Sequence, residues 1–268
     1  MSFNLFSLEQ FITELKKPLE SADKDYVYYY RGCATHDWKY NLVPGIYRDS
    51  YINDEDISFR EMVIRSPDEF KNDGTTLEKL VKMQHYSLPT RLLDITTNPL
   101  VALYFASGQF GGSKTDGKLY VFKIRKDEIK YYDSDSVSLI SNVAKLRLDK
   151  ANFTKGFDYL IHEIREEKPY YSDAFQTENE KDIVKVFPVK VKLNNNRIVR
   201  QSGAFLIFGI KDLNTKKESA ILPSSAVVAE LKIDTTAKKD ILNSLNSLAI
   251  NESTLFPELE HAASYLRK

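Results

Sequence analysis

Residues 100–106 (LVALYFA) are apolar on every face of a helix, and the Asn98-Pro99 pair before them marks where that helix begins. Asn suits the N-cap because its side-chain oxygen accepts a free backbone N–H, and Pro suits the first turn, where no N–H is needed. A helix without a polar face must be enclosed, so the rest of the chain has to build layers around it. The 268 residues suffice for such a core and lie near the upper end of one domain, so a single domain over residues 1–268 is expected.

Around that helix the pattern divides. Residues 7–17 start with Ser7 at an N-cap and carry Phe11, Ile12 and Leu15 at helical spacing. Residues 26–30 are β-prone, and Gly32 is expected to break that strand, leaving Arg31 at its end. Residues 42–48 hold Pro44 and Gly45 and read as a loop. Residues 55–70 read as helical up to Pro67, and the stretch to His85 reads as a helix capped by Thr75 or Thr76. Strand patterns follow at 118–124, 182–192, 204–210 and 226–233, and amphipathic helices at 237–248 and 257–266. Helices in the first half and at the C-terminus, with strands between, predict an α+β fold on a mainly antiparallel sheet.

Lys plus Arg equals Asp plus Glu at 38 each, so no overall field draws the chain to nucleic acid or an anionic membrane. Lys123, Arg125, Lys126, Lys130 and the basic residues of 185–200 are offset by Asp127, Glu128 and Asp182, which reads as a solvated surface. The single cysteine, Cys33, has no partner for an internal disulfide, and the first residues lack the order of a signal peptide. No apolar stretch approaches the roughly 20 residues of a membrane span. A cytoplasmic location without a membrane partner is expected.

Polar residues concentrate between the helix that ends at His85 and the one that starts at Pro99: Gln84, His85, Thr90, Arg91, Asp94 and Thr96. Arg91 and Asp94 are near enough in sequence to pair, and a charge set among leucines must pair if buried. Two readings stay open. The set is a structural clasp, or His85 and Arg91 face a cleft and hold an anion. Cys33 with His36 supplies only two ligands, too few for a zinc site, and the phosphate-loop, dinucleotide, nucleophile-elbow and HExxH motifs are absent.

The strings Gln84-His85-Tyr86, Leu88-Pro89-Thr90-Arg91-Leu92-Leu93-Asp94, Thr96, Asn98-Pro99 and Ala102-Leu103-Tyr104-Phe105-Ala106 resemble the signature of the FRG domain. Its Phe-Arg-Gly motif is Tyr30-Arg31-Gly32 here. The likeness extends to Trp38, Leu42, Pro44 and Arg48, to Gln201-Ser202-Gly203-Ala204-Phe205, and to Leu255-Phe256-Pro257-Glu258-Leu259. The chain departs from it at Tyr30 in place of Phe, Ser87 in place of Gly and Ile95 in place of Trp. The family occurs in bacterial and phage proteins and supplies no reaction. A strand ending Tyr-Arg-Gly, then Thr-Thr before an apolar helix, is also similar to arginine-type ADP-ribosyltransferases.

That second likeness implies Arg31 on the NAD pyrophosphate and Thr96-Thr97 as the ribose-supporting element. It also implies a catalytic Glu on a late strand, where this chain offers Gln201, with Glu230 inside another strand. The candidate chemistry set is therefore His85, Arg91, Asp94 and Gln201, and the candidate ligand set Arg31, Thr90, Thr96 and Thr97. The expected ligand is a nucleotide or small anion, with NAD as co-substrate of a toxin or phage-defence effector acting on a protein or nucleic acid. The alternatives are a non-catalytic module that docks nucleic acid or protein, and a metal-independent nuclease using His85 with Arg31 and Arg91.

Overall fold

The computed structural model describes residues 3–20, 23–35, 41–108, 115–147, 153–171, 181–212, 215–258 and 261. Its strands are β1 (Phe3–Leu5), β2 (Tyr26–Cys33), β3 (Leu92–Thr96), β4 (Gly117–Arg125), β5 (Lys130–Tyr131), β6 (Val186–Lys190) and β7 (Gly203–Phe208), then β8 (Ile210–Asp212), β9 (Thr215–Ser219) and β10 (Val227–Ile233). Eight of these form one sheet in the order β1-β10-β4-β2-β3-β7-β6-β5, and β8 with β9 makes a separate ribbon. The interior pairings are antiparallel, and the two outermost, β1 on β10 and β5 on β6, are parallel. The fold is α+β.

Pairing within the sheet is uneven. β2 runs beside β4 along its whole length, from Tyr26 opposite Arg125 to Cys33 opposite Lys118. On its other side β2 meets β3 at one position, Tyr30 opposite Thr96. Beyond that rung the two strands part, and the loop after residue 40 enters the gap, where Ile46 N–H donates to Thr90 O at 3.1 Å.

Helix α5 (Pro99–Ala106) lies on β2 and β4, capped by Asn98, whose Oδ1 accepts from Leu100 N at 2.9 Å. Its close seat needs two glycines. A Cβ added at Gly32 would stand 1.8 Å from Ala102 O, and one at Gly117 would stand 2.0 Å from Ala106 O. Gly32 therefore does not end the strand, as its usual breaking role predicts, because what it supplies is space for a helix backbone. Val101, Ala102, Leu103 and Ala106 are fully buried in a cluster with Phe11 and Leu15 of α1 (Leu8–Leu19), and with Ile241 and Leu245 near the C-terminus.

A second cluster packs α2 (Glu55–Arg65), α3 (Pro67–Phe70), α4 (Thr76–His85) and α6 (Asp135–Asn142) on β3, β6 and β7 through Phe59, Leu80, Met83, Leu92, Ile140 and Ile207. Pro67 ends α2 and restarts the chain as α3, since proline is favoured in a first turn. Thr75 and Glu78 cap α4 reciprocally. Residues 125–168, which carry only mixed signals, hold β5, α6 and α7 (Phe153–Glu167). Further helices are α8 (Asn196–Arg200), α9 (Lys238–Ser247) and α10 (Glu252–Leu255). α10 lies between the two stretches expected to be helical at the C-terminus, and the second of these, 257–266, falls mainly outside the described residues.

α4 stops in a left-handed turn. Leu88 N–H bonds Met83 O at 3.0 Å and Ser87 N–H bonds Gln84 O at 3.1 Å, with Ser87 at φ 64°. This is the helix stop that glycine usually fills, and Ser87 occupies the position where the resemblance has glycine. Ser87→Gly should therefore raise stability by about 1 kcal/mol, read as a higher urea midpoint with an unchanged slope. An unchanged or lower midpoint would show that Ser87 is not strained.

Candidate functional site

Where β2 and β3 part, a cavity of about 280 Å³ opens on the side of α4 and α8. Arg31, Gln84, His85, Asp94, Thr96, Arg197 and Gln201 supply its polar wall, and Tyr30, Ile95, Val101, Ala102, Phe105 and Phe205 its apolar one. Residues separated by most of the chain thus share one open hollow. Antiparallel pairing is what brings them there: the ends of β2 and β3, and the turn that starts β7, lie side by side in the sheet.

Arg31 spans the gap between its two strands. Its Nε donates to Asn41 O at 2.9 Å and its Nη1 to Asp94 O at 2.8 Å. Nη2 has no hydrogen-bond partner among the described residues. Asp94 faces solvent, and its Oδ2 accepts from Gln84 Nε2 at 2.9 Å. Gln84 Oε1 in turn accepts from Thr90 Oγ1 at 2.8 Å, and Thr90 Oγ1 accepts from Leu92 N at 3.1 Å. A carboxylate accepts only, so the Gln84 amide must turn its nitrogen to Asp94. Thr90 is buried and sets that orientation instead of meeting a ligand.

Thr96 and Thr97 use their hydroxyls locally. Thr96 Oγ1 donates to Gln201 O at 2.7 Å and accepts from Asn98 N at 3.0 Å, and Thr97 N donates to Ser202 O at 3.1 Å. They tie the end of β3 to the turn that carries Gln201, where Ser202 is left-handed at φ 47°. Gln201 faces the cleft, with Nε2 donating to Leu255 O at 3.2 Å. Thr97 is outside the cleft lining.

His85 is engaged at both ring nitrogens. Nε2 lies 2.9 Å from Glu258 Oε1, and Nδ1 lies 2.8 Å from Asn195 Nδ2. The Asn195 oxygen is committed to the α8 cap, accepting from Arg197 N at 2.8 Å, so its amide nitrogen must face the imidazole. His85 Nδ1 is then an acceptor, and the ring proton sits on Nε2, donated to Glu258. Burial pushes the Glu258 carboxyl up, but hydrogen bonds from His85 and its own backbone, with the Arg197 charge, outweigh this and hold it below its ordinary value.

Arg91 is a correction. It is not in the cleft, and it does not pair with Asp94. Fully buried, it gives Nε to Glu55 Oε1 at 2.9 Å, Nη2 to Glu55 Oε2 at 2.5 Å and Nη1 to Phe208 O at 3.1 Å. Burial opposes its charge, and the Glu55 carboxylate with Tyr47 more than restores it, so its pKa rises. Glu55 is distant in sequence and begins a helix, which is why local spacing points to Asp94 instead. Arg91 ties α2 to the sheet.

Two site residues are missing from the sequence-derived set. Arg197 lies in the basic stretch 185–200 and reads there as surface charge, yet it lines the cleft with its guanidinium 4.6 Å from the Phe256 ring centroid. Asn195 has no signal beyond its helix-cap residue type. The C-terminal segment also contributes, because Leu255, Phe256 and Glu258 hold Gln201, Arg197 and His85 in turn. Trp38 and His36 lie outside the described residues. Among the described residues no group of three or more His, Cys, Asp or Glu is placed to hold a metal ion, and no helix is long and apolar enough to cross a membrane.

Fold and site together define an α+β protein whose sheet opens into an arginine-bearing cleft. Residues 26–111 match the family model of the FRG domain. That segment holds β2, the loop in the gap, α4, β3 and α5, and with them Arg31, Gln84, His85, Asp94 and Thr96. No curated protein and no solved structure matches the chain.

Proposed function

We propose that the cleft binds a nucleotide-like anion, and that the chain is an ADP-ribosyltransferase-like enzyme taking NAD as co-substrate. The observation that carries this reading is the convergence of Arg31, Thr96 and Gln201 on one hollow, in the order that the likeness to arginine-type transferases implies. Arg31 Nη2, which has no partner among the described residues, lies beside the cavity and suits a phosphate oxygen. In the reaction the bond from the ribose to nicotinamide breaks with its electron pair leaving on nicotinamide, and the acceptor's nucleophile bonds to the ribose carbon and releases a proton. Positive charge develops on the ribose meanwhile, and Asp94, the carboxylate among the described lining residues, is available to stabilise it. Its link to Gln84 and Thr90 holds it in place.

Gln201 favours a second reading, a module that binds the nucleotide without turnover, because an amide cannot serve as a carboxylate at that position. One assay separates the two. NAD at about a hundredfold excess over its Kd should stabilise the protein by roughly 2.7 kcal/mol, and Arg31→Lys should weaken that binding. Labelled NAD incubated with cell lysate should mark a protein or nucleic acid under the transferase reading and remain intact under the binding one. No stabilisation by NAD and no loss of NAD would end both, and with them the role of a toxic or defensive effector.

A further inference from the structure

We propose that Arg31 from β2 and Arg197 from α8 form a two-arginine clamp for a diphosphate; this rests on the reading of the cleft as a nucleotide site. Arg197 is half-buried, with its guanidinium 4.6 Å from the Phe256 ring centroid. Nη1 makes one long hydrogen bond, 3.4 Å, to His85 O, while Nε and Nη2 have no partner among the described residues. Glu258 and Asp94 are close enough to act on its charge, yet neither forms an ion pair with it, and burial still pulls its pKa below the ordinary value.

A guanidinium taken out of water without a bonded carboxylate is costly, so the donors that it presents to a cavity ask for an anion. Arg31 stands in the same condition. Its two bonds go to neutral carbonyls, Nη2 has no partner among the described residues, and its charge repels the neighbouring Arg48, whose pKa burial lowers first and Arg31 further. The Nε–Nη2 fork of Arg197 and the Nη2 of Arg31, on one cavity, match two phosphate groups, where a single phosphate satisfies one guanidinium. Asp94 on the same wall sets the polarity, since it repels the phosphates and accepts from hydroxyl groups at the neutral end of the ligand.

The test is calorimetric titration of the full chain with ADP and with AMP, in the unmodified protein, Arg31→Lys and Arg197→Lys. The clamp requires ADP to bind the unmodified protein about tenfold or more tightly than AMP, and each lysine variant to lose about tenfold for ADP, since lysine keeps the charge but not the planar guanidinium whose donors are anchored on one side and offered on the other. Equal affinity for ADP and AMP would overturn it. So would an Arg197→Lys protein that binds ADP within about twofold of the unmodified chain while Arg31→Lys does not. If Arg197→Lys fails to fold, the comparison of ADP with AMP on the unmodified chain decides alone. Failure of the unmodified chain to bind either compound removes the clamp together with the nucleotide reading, which is a different result from binding without discrimination.

Discussion

Gly32→Ala should lose at least about 3 kcal/mol of stability and leave little folded protein at moderate urea. The added Cβ would lie 1.8 Å from Ala102 O, 2.7 Å from Ala106 N and 2.8 Å from Ala102 C, all of them backbone atoms that no rotamer change can move. α5 cannot retreat, because its far side is packed on Phe11, Ile241 and Leu245. β2 cannot retreat either, because β4 pairs with it along its full length. Gly74→Ala is the control: the nearest atom to its Cβ would be Glu78 Oε2, at 3.7 Å. A Gly32→Ala protein as stable as the Gly74→Ala one would show that the helix does not sit as closely as described. The glycine of the Tyr-Arg-Gly motif is thus a packing requirement, and the arginine beside it keeps one nitrogen, Nη2, without a partner among the described residues.

Arg91→Met should cost roughly 3–5 kcal/mol, because it removes the guanidinium that both Glu55 carboxylate oxygens accept from in the core, and the donor to Phe208 O. Arg91→Lys should also destabilise strongly, since one ammonium cannot reproduce the fork that meets both Glu55 oxygens. Adding Glu55→Leu to Arg91→Met should recover much of the loss, as an apolar replacement no longer buries a charge whose arginine has been removed. Urea unfolding of the single and double variants measures each step. ADP affinity of the folded Arg91→Met protein should remain that of the unmodified chain. Lost affinity with stability intact would return Arg91 to the cleft.

Arg91 illustrates where local sequence reasoning stops. Its charge and apolar neighbours predict a buried, paired residue, and that is its state. The identity of the partner depends on how α2 docks on the sheet, a long-range fact with no counterpart in spacing. α5 was legible down to its cap, because Asn98, Pro99 and an apolar run act within one turn of each other. β3 was not: residues 92–96 pair Leu92 with one core and Leu93 and Ile95 with another, so both faces are apolar except at Asp94, and no alternation marks the strand. The motif residues Arg31, Gln84, His85, Asp94, Thr96 and Gln201 were named from the sequence, and they do meet on one cavity. Arg197 went unseen because a surface lysine-arginine stretch and a cleft wall have the same composition, and only the placement of Phe256 beneath it separates them.

The lone rung between Tyr30 and Thr96 has a mechanical side. It acts as a spine from which two leaves of sheet extend, one bearing Arg31 and the other the Gln201 turn. Turning one leaf against the other strains that ladder step, the bonds of Arg31 to Asn41 O and Asp94 O, and the contacts of the loop in the gap, where a fully paired sheet would resist along its whole length. A bound molecule that draws on donors from both leaves would brace them at one angle.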